Sequence, residues 1–428
     1  MNSKSLETAF TLDTSSIKFG PGVTHDIGYE IKRLGGNRVM IVTDAKMATL
    51  APIETTIESL QAESLDYALF DNVQIEPTDS SFKQAIDFAV DGRFDSFAAV
   101  GGGSAIDTAK AANLYSTHPA DLLAYVNAPV GEGLAPPGPL LPLVAIPTTA
   151  GTGSETTGTA IFDLVEMHAK TGIAHRTLRP SVALVDPENT RTLPSMIAAC
   201  SGFDVLCHGL ESYTALPFHR RMAPNSPGAR PAYQGANPIS DIWAIQAIEM
   251  VANNIIRAVQ DPTDDEARSR MLLAASFAGV GFGNAGVHVP HGMSYPVSGM
   301  VREYVPKGYP PSRPMVPHGM SVVLNAPAVF RFTGPSNPER HLKAAKLLGA
   351  DVSAVNLEDA GSLLADTIVG FVRRLGLPNG LRGVGYTLDD VDALVAGAIP
   401  QRRVLDLSPL IVGEEELRHL FLDSMTLW

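Results

Sequence analysis

The 428-residue sequence predicts an N-terminal α/β domain followed by an all-helical C-terminal domain. In the first half, short β-branched runs alternate with helical patterns, which is typical of a parallel sheet covered by helices. After residue 187 the strand signals nearly vanish and long helical patterns replace them. The length also exceeds the roughly 250 to 300 residues at which one hydrophobic core stops growing. We therefore predict two domains, 1–190 and 191–428, with the boundary placed to within about ten residues.

The predicted strands are buried apolar runs that end in turn residues. They are RVMIVTD (38–44), LDYALFD (65–71), SFAAVGGG (96–103), LPLVAIPTT (141–149) and SVALVDP (181–187). Helical patterns lie between them near 46–62, 79–91 and 104–116, and further along the chain at 238–260 and 267–282. Proline-rich stretches at 216–237 and 302–317 interrupt the helical half. Proline fixes φ and lacks a backbone donor, so we predict loops there.

Composition and charge favour a small-molecule partner. The net charge of −13 works against nucleic-acid binding, which needs a basic surface. No run of about 18 uncharged apolar residues is present, so we expect no membrane role. Two cysteines, Cys200 and Cys207, are too few for a disulfide framework, and we expect Cys207 to be buried. The N-terminal residues resemble neither a secretory signal nor a transit peptide, which favours the cytoplasm, with an organellar matrix as the alternative if a leader was removed.

A glycine-rich turn follows one predicted strand and opens a helix. Backbone N–H groups of Gly101, Gly102 and Gly103, with Ser104, could hold a pyrophosphate at the helix N-terminus. The alternative is a plain turn in which Ser104 and Asp107 form a capping box.

A second polar segment, which includes Thr148, Thr149 and Ser154, ends another strand. Ligands bind beyond strand C-termini in open α/β sheets, so the two segments support each other. Asp44 ends an earlier strand, where it could accept a ribose hydroxyl and disfavour a 2′-phosphate, or simply cap a helix.

Four residues of the helical half have the chemistry of a metal site. Asp204 and His208 are four residues apart and share a helix face. His291 and His318 occur in matching Pro-His-Gly-Met-Ser contexts, which core packing does not easily explain. Three imidazoles and one carboxylate suit Fe²⁺ or Zn²⁺. For the nearby His288 we expect a packing or supporting role.

Together these motifs resemble the iron-containing alcohol dehydrogenase family, from about residue 15 to the C-terminus. The resemblance implies the architecture shared with dehydroquinate synthase: an α/β dinucleotide-binding domain and an all-helical metal-binding domain. It also implies that the four residues above bind the metal, that Gly101–Ser104 and Thr148–Thr149 hold the dinucleotide, and that Lys170 lies near the ribose. Because Asp44 would disfavour a 2′-phosphate, we expect NAD more than NADP. A homodimer is expected from the same resemblance.

Within the family, the chain is most similar to the hydroxyacid-oxoacid transhydrogenase branch. The similarity lies in the segments SGFDVLCHGLESYTALP, RPAYQGANPISDIWAI, FGNAGVHVPHGMSYPVSG and VPHGMSVVLNAPAVF. Members of this branch oxidise 4-hydroxybutyrate to succinate semialdehyde and reduce 2-oxoglutarate to 2-hydroxyglutarate through a bound nicotinamide cofactor. Two alternatives remain: an NAD-dependent alcohol or 4-hydroxybutyrate dehydrogenase with an exchangeable cofactor, and a dehydroquinate synthase-like lyase.

Two features of the expected reaction have less direct sequence support. Many family members carry a histidine four residues after the third ligand as a proton relay; here that residue is Tyr295, so a tyrosine or a water would move the proton. Carboxylate substrates also need a positive pocket. The candidates lie in the two proline-rich loops, and arginine is preferred for forked carboxylate binding. They are Arg220, Arg221, Arg230 and Arg302, with His219, Lys307 and Arg313 as further cations.

Overall fold

The chain divides into two units in the computed structural model, which describes residues 5–166, 169–309 and 314–428. One unit is Asp13–Leu193, and the other is Pro194–Trp428 together with the N-terminal segment that ends at Leu12. The expected boundary at residue 190 and the division after Leu193 lie in the same connection. The N-terminal segment, however, belongs with the helical unit, because Gln234 exchanges hydrogen bonds of 2.9 and 2.8 Å with the backbone of Thr11.

The described residues form eight strands, and six of these make one parallel sheet in the order β1-β8-β5-β4-β2-β3. The other two, β6 and β7, form an antiparallel pair. The strands are β1 (Ser16–Phe19), β2 (Arg38–Val42), β3 (Asp66–Phe70), β4 (Ser96–Gly101), β5 (Leu143–Pro147), β6 (Thr159–Leu164), β7 (Ala169–Ala174) and β8 (Val182–Val185). The five strands predicted from the sequence are confirmed, whereas β1 and the β6–β7 pair were not predicted.

Five helices accompany these strands: α1 (Ile27–Arg33), α2 (Ala51–Ala62), α3 (Asp79–Gly92), α4 (Gly103–Thr117) and α5 (Leu122–Tyr125). The inner strands β2, β4, β5 and β8 are buried on both faces, which explains why they are continuous apolar runs. Met40 and Val42 pack with residues of α3 and α4 in one core cluster. Val39 and Ile41 point to the opposite face, where they pack with residues of α1 and α2.

Eleven helices are described in the second unit, and the all-helical prediction is confirmed. They are α6 (Ser195–Thr214), α7 (Pro238–Gln260), α8 (Asp265–Ala285), α9 (Val289–Gly299), α10 (His318–Val323), α11 (Ala326–Thr333), α12 (Pro338–Leu347), α13 (Ala360–Arg374), α14 (Val391–Ala398), α15 (Arg402–Leu405) and α16 (Glu414–Ser424).

Side-chain caps mark the N-termini of α7 and α8, the two long helices that follow the first proline-rich loop. The Asn237 side chain caps α7 by accepting hydrogen bonds from the backbone N–H groups of Ile239 and Ser240. Asp264 caps α8 in the same way through Ala267. Both proline-rich stretches are loops wherever they are described, apart from short 3-10 turns in the first. Arg313 lies outside the described residues.

The helical unit contains much apolar sequence. Within the described part of the chain, no single helix has both the length and the apolar character needed to cross a membrane. The bent pair α8 and α9, with 106° between the two helices, meets that test only when both are taken together.

Candidate metal centre and cofactor loop

Three helices bring the four predicted metal ligands together. Asp204 and His208 lie one turn apart on α6, so both side chains leave the same face of that helix. His291 lies near the start of α9, and His318 is the first residue of α10. The structure therefore places all four side chains in one cluster inside the helical unit.

The spacing of the ligand atoms fits a single ion better than it fits hydrogen bonds. The Nε2 atoms of His208, His291 and His318 lie 3.6, 3.6 and 3.7 Å from Oδ1 of Asp204. These distances are too long for hydrogen bonds. Ligand atoms bound to one ion at about 2.0 to 2.2 Å lie roughly 3 to 3.5 Å apart in common geometries. The cluster is thus slightly wider than a loaded site.

Buried polar atoms without partners also suit a cation. Among the described residues, neither Oδ1 of Asp204 nor Nε2 of His291 has a hydrogen-bond partner, although both atoms are buried. An unsatisfied buried polar atom costs free energy, so a ligand that both atoms contact would stabilise the cluster. The His318 side chain is 22% exposed whereas those of His208 and His291 are 4% exposed, so the cluster is accessible at His318.

The charges of the cluster also favour a bound cation. Burial opposes ionisation of Asp204, but the surrounding imidazoles reverse this and hold the pKa of its carboxyl well below the usual range. Burial lowers the pKa of His208 to about 3, so that ring is neutral. Burial acts in the same direction on His291, but the carboxylates of Glu211 and Asp204 raise its pKa to about 10. Two buried carboxylates thus flank the His291 imidazole, and a divalent cation bound there would replace its proton with a larger positive charge.

Glu211 orients His291 and was not among the residues predicted from the sequence. Its Oε1 accepts a hydrogen bond of 2.7 Å from Nδ1 of His291, which leaves Nε2 as the ligand atom. Its Oε2 accepts the backbone N–H of His288 at 2.7 Å. A usable signal was present, because Glu211 follows His208 by three residues and so shares the helix face of Asp204 and His208.

Replacing Glu211 with glutamine should weaken metal binding while the protein stays folded. The amide keeps the shape of the carboxylate but loses the charge and one acceptor, so His291 is oriented less firmly. Loss of such a partner typically costs 10- to 100-fold in metal affinity. Competition with a chromogenic chelator for Zn²⁺ measures this directly, with the exposed Glu415→Gln as the control. Unchanged affinity in Glu211→Gln would show that the carboxylate only supports the fold.

Several buried side chains lie on or near the cluster. Phe282 stacks on His208, with ring centroids 3.9 Å apart. His288 is buried and its Nε2 lies 3.0 Å from Oγ1 of Thr214, in agreement with the supporting role expected for it. Tyr295, one turn after His291 on α9, is 4% exposed, and its Oη accepts a 3.4 Å hydrogen bond from Arg403. Cys207 is fully buried, as expected.

The glycine-rich turn and the second polar segment meet at one edge of the sheet. Gly101 at the end of β4 pairs with Pro147 at the end of β5, and the N–H of Thr148 donates to the carbonyl of Gly101 at 3.0 Å. A Cβ atom on Gly103 would lie 2.5 Å from Cγ2 of Thr152, so the turn has no room for a side chain there.

No described side chain caps the backbone N–H groups at the N-terminus of α4. Gly102 caps this 15-residue helix without any side-chain hydrogen bond, and Thr149 lies against it. The N–H groups of the first turn and the helix dipole suit a phosphate. The alternative capping box of Ser104 and Asp107 does not form, because the helix already begins at Gly103.

Asp107 and Ser154 belong to an internal network below this turn. The Ser154 hydroxyl donates to Oδ1 of Asp107, and Oδ2 accepts the N–H of Ile161 at 2.9 Å. Lys110, which the sequence analysis did not single out, donates to Ser154 at 2.6 Å and to the carbonyl of Thr159 at 2.7 Å. Burial lowers the pKa of Lys110 to about 8. The network therefore ties α4 to residues 154–161, and a cofactor-binding role for Asp107 and Ser154 stays a prediction.

Lys170 and Asp44 also have partners within the α/β unit. Lys170 on β7 forms ion pairs with Glu76 and Asp163, and the N–H of Glu76 donates to Oγ of Ser104 at 3.2 Å. Lys170 is thereby linked to the glycine-rich turn. Oδ1 of Asp44 accepts the N–H groups of Lys46 and Met47, both at 3.0 Å, and so closes a turn before the 3-10 helix Met47–Thr49. The N-cap of that helix is Lys46, so Asp44 is not the helix cap expected as the alternative.

Three of the four arginines expected to bind substrate have other partners. Arg230 makes a forked ion pair with Glu7, with distances of 3.0 and 3.1 Å. Arg302 makes a forked pair with Asp390, with distances of 2.8 and 2.9 Å. Arg221 donates to the carbonyl of Tyr233 at 2.7 Å. Arg220 is exposed at the end of a 3-10 turn. The structure therefore does not gather these four side chains into one anion pocket.

Two family models match most of the chain. Residues 14–187 match the model for "Iron-containing alcohol dehydrogenase", and residues 232–425 match the model for "Fe-containing alcohol dehydrogenase family, C-terminal". Among curated relatives, the mitochondrial hydroxyacid-oxoacid transhydrogenase of Xenopus laevis is 54% identical over 99% of this chain and 92% of its own length. The human protein of that name is 51% identical over 99% of this chain and 91% of its own length.

Solved structures show the same fold. A 1,3-propanediol oxidoreductase superposes with a TM-score of 0.84 at 27% identity, covering 97% of this chain and 100% of that one. An alcohol dehydrogenase from Oenococcus oeni gives a TM-score of 0.84 at 26% identity, with the same coverage of 97% and 100%. The chain therefore belongs to the iron-containing alcohol dehydrogenase family of oxidoreductases.

Proposed function

We propose that the protein transfers a hydride from 4-hydroxybutyrate to 2-oxoglutarate through a bound NAD, yielding succinate semialdehyde and 2-hydroxyglutarate. The observation that carries this proposal is the identity of 51 to 54% over 99% of the chain with relatives named hydroxyacid-oxoacid transhydrogenase. The two half-reactions balance: the hydroxy acid loses a hydride and a proton, and the oxo acid gains both. No external oxidant is then consumed.

The four clustered side chains, Asp204, His208, His291 and His318, are our proposed metal ligands, and the donor set suits Fe²⁺ and Zn²⁺ alike. When bound, a divalent metal supplies positive charge at the substrate oxygen, and the nicotinamide accepts and returns the hydride. Elemental analysis of the protein purified from its source distinguishes the two metals.

The chain's own residues have separate tasks in this proposal. Glu211 keeps Nε2 of His291 available by holding the Nδ1 proton. Phe282 covers one face of His208 and keeps water from it. Tyr295, one turn after His291, is our candidate for moving the hydroxyl proton, alone or through a water. In the α/β unit, the backbone N–H groups of the Gly101–Ser104 turn would hold the NAD pyrophosphate, with Thr148 and Thr149 beside it.

The deciding experiment mixes metal-loaded, desalted protein with 4-hydroxybutyrate and 2-oxoglutarate in the absence of added NAD. We expect succinate semialdehyde and 2-hydroxyglutarate in equal amounts over many turnovers, because the bound cofactor is oxidised and reduced in each cycle. Chromatography of both products measures this. Product that forms only with added NAD, with NADH accumulating when no oxo acid is present, would instead identify an alcohol or 4-hydroxybutyrate dehydrogenase with exchangeable cofactor.

A lyase of the dehydroquinate synthase type is the second candidate, since it shares the two-domain architecture. The 54% identity to a transhydrogenase, over 99% of this chain, argues against a lyase. The assay above separates the two, because a cyclising lyase would produce neither product.

We extend the proposal to assembly and location. All curated relatives reported above are named as mitochondrial proteins, which favours the organellar matrix over the cytoplasm for this chain. Fractionation of the source cells tests this. A homodimer is proposed from the family resemblance alone, and light scattering of the purified protein measures it. The proposed partners are small hydroxy acids and oxo acids.

A further inference from the structure

Arg403, an arginine that the sequence analysis did not consider, lies beside the helix that carries His291. It belongs to α15, which packs closely on α9 because Gly292 has no side chain: a Cβ there would lie 2.7 Å from Cδ2 of Leu405. This packing brings one guanidinium nitrogen of Arg403 within 3.4 Å of Oη of Tyr295. Tyr295 in turn lies one helical turn from His291.

A continuous layer of rings connects this guanidinium with the candidate metal ligands. Cζ of Arg403 lies 4.8 Å from the ring centroid of Tyr233. The ring of Tyr233 meets that of Phe282 edge-on, with centroids 6.4 Å apart. Phe282 stacks on His208 at 3.9 Å. Arg403 therefore packs on Tyr233, which contacts the same Phe282 ring that covers His208.

The charge of Arg403 has no acidic counterpart within the described parts of the chain. No ion pair joins it to a carboxylate there, whereas the adjacent Arg402 pairs with Asp406. Its Nη1 atom is buried and has no hydrogen-bond partner among the described residues. A guanidinium has five N–H donors, and leaving a buried one unsatisfied is costly. Phenol oxygens and ring faces around it satisfy only part of that capacity, so an anionic ligand would complete it.

We infer that Arg403 binds the carboxylate that the hydroxy acid and oxo acid substrates share. The inference rests on the proposed function, in which every substrate and product carries a carboxylate that must be recognised. A planar guanidinium pairs with a carboxylate through two parallel hydrogen bonds, which lysine cannot reproduce. Arg403 is favoured over Arg230 and Arg302, because each of those already makes a forked pair with a protein carboxylate.

The test compares the Arg403→Met and Arg403→Lys holoenzymes with the unaltered protein. Methionine keeps much of the packing against Tyr233 but removes the charge, and lysine keeps the charge but not the fork. We expect the KM for 4-hydroxybutyrate and for 2-oxoglutarate to rise on the order of 10- to 100-fold in Arg403→Met. The KM values of Arg403→Lys should lie between those of Arg403→Met and those of the unaltered protein. Calorimetric titration with glutarate, an unreactive dicarboxylate, should show a parallel rise in Kd.

Arg402→Gln is the matched control, because it changes a neighbouring exposed arginine on the same short helix. It should keep the KM and the glutarate affinity of the unaltered protein. Melting curves identify any variant that fails to fold. An unchanged KM in folded Arg403→Met, or a fall in kcat alone, would overturn the inference and leave Arg403 a support for Tyr295. If the unaltered protein itself neither turns over the two acids nor binds glutarate, the proposed function fails first.

Discussion

His291→Ala is expected to abolish metal binding and turnover together. The substitution removes one of four clustered ligands and leaves Oε1 of Glu211 buried without its 2.7 Å partner. Metal affinity should fall by more than the 10- to 100-fold typical of losing a supporting residue. Metal-ion catalysis supplies several kcal/mol of transition-state stabilisation, so turnover should drop by on the order of 10³-fold or more. Elemental analysis after dialysis and the two-substrate assay measure the two losses.

His419→Ala is the control for this prediction, since His419 is an exposed histidine on α16. It should retain both the metal and the activity. Loss of the buried hydrogen bond to Glu211 should also destabilise His291→Ala by about 1 to 3 kcal/mol, so a denaturation curve must show that the variant is folded at the assay temperature. A folded His291→Ala protein that turns over without metal would contradict the proposed centre.

The second large effect is expected from a single methyl group at Gly319, the residue after His318. Helices α10 and α6 are so close there that a Cβ atom would lie 2.0 Å from the carbonyl oxygen of Cys200 and 2.8 Å from Cβ of Asp204. Backbone atoms cannot move aside as a flexible side chain does, so Gly319→Ala must push α10 away from α6. We expect a loss of about 3 kcal/mol in the free energy of unfolding.

The same displacement moves His318 away from Asp204, so Zn²⁺ affinity should fall together with stability. Urea denaturation and chelator competition measure the two quantities. Gly370→Ala is the matched control: Gly370 lies within α13, and a Cβ there would meet nothing within 4 Å. Because alanine favours helix more than glycine does, that variant should gain up to about 1 kcal/mol. Equal stability and metal affinity in Gly319→Ala and the unaltered protein would disprove the steric argument.

Much of the fold and of the candidate site could be predicted from sequence because the signals are local. The strands β2, β4, β5 and β8 are buried on both faces and therefore appear as continuous apolar runs. Strand β3 lies at the edge of the sheet and is only partly buried, but its apolar residues gave the same kind of signal. The antiparallel pair β6–β7 and the short edge strand β1 lack that pattern, and they were missed. Asp204 and His208 were recognised because helical spacing alone puts them on one face.

The repeated Pro-His-Gly context marked His291 and His318 as special, but only the structure explains its glycines. A Cβ on Gly292 would meet Leu405, and one on Gly319 would meet the backbone of α6. Each glycine allows a neighbouring helix to approach the histidine that precedes it. This reason depends on helices that are far apart in the sequence, and so no local pattern contains it.

The sequence by itself determined the order of the elements, the α/β and all-helical character of the two parts, and which side chains have metal-binding chemistry. Only the tertiary structure decided which arginine side chains pair with protein carboxylates and which could still bind a substrate carboxylate. Arg230 and Arg302 looked suitable for substrate until their carboxylate partners, Glu7 and Asp390, were known. Arg403 gave no local signal, and only the packing of α15 on α9 shows that it has no acidic partner among the described residues. Ion pairing depends on distances across the fold, whereas helical and strand periodicity depends on neighbours along the chain.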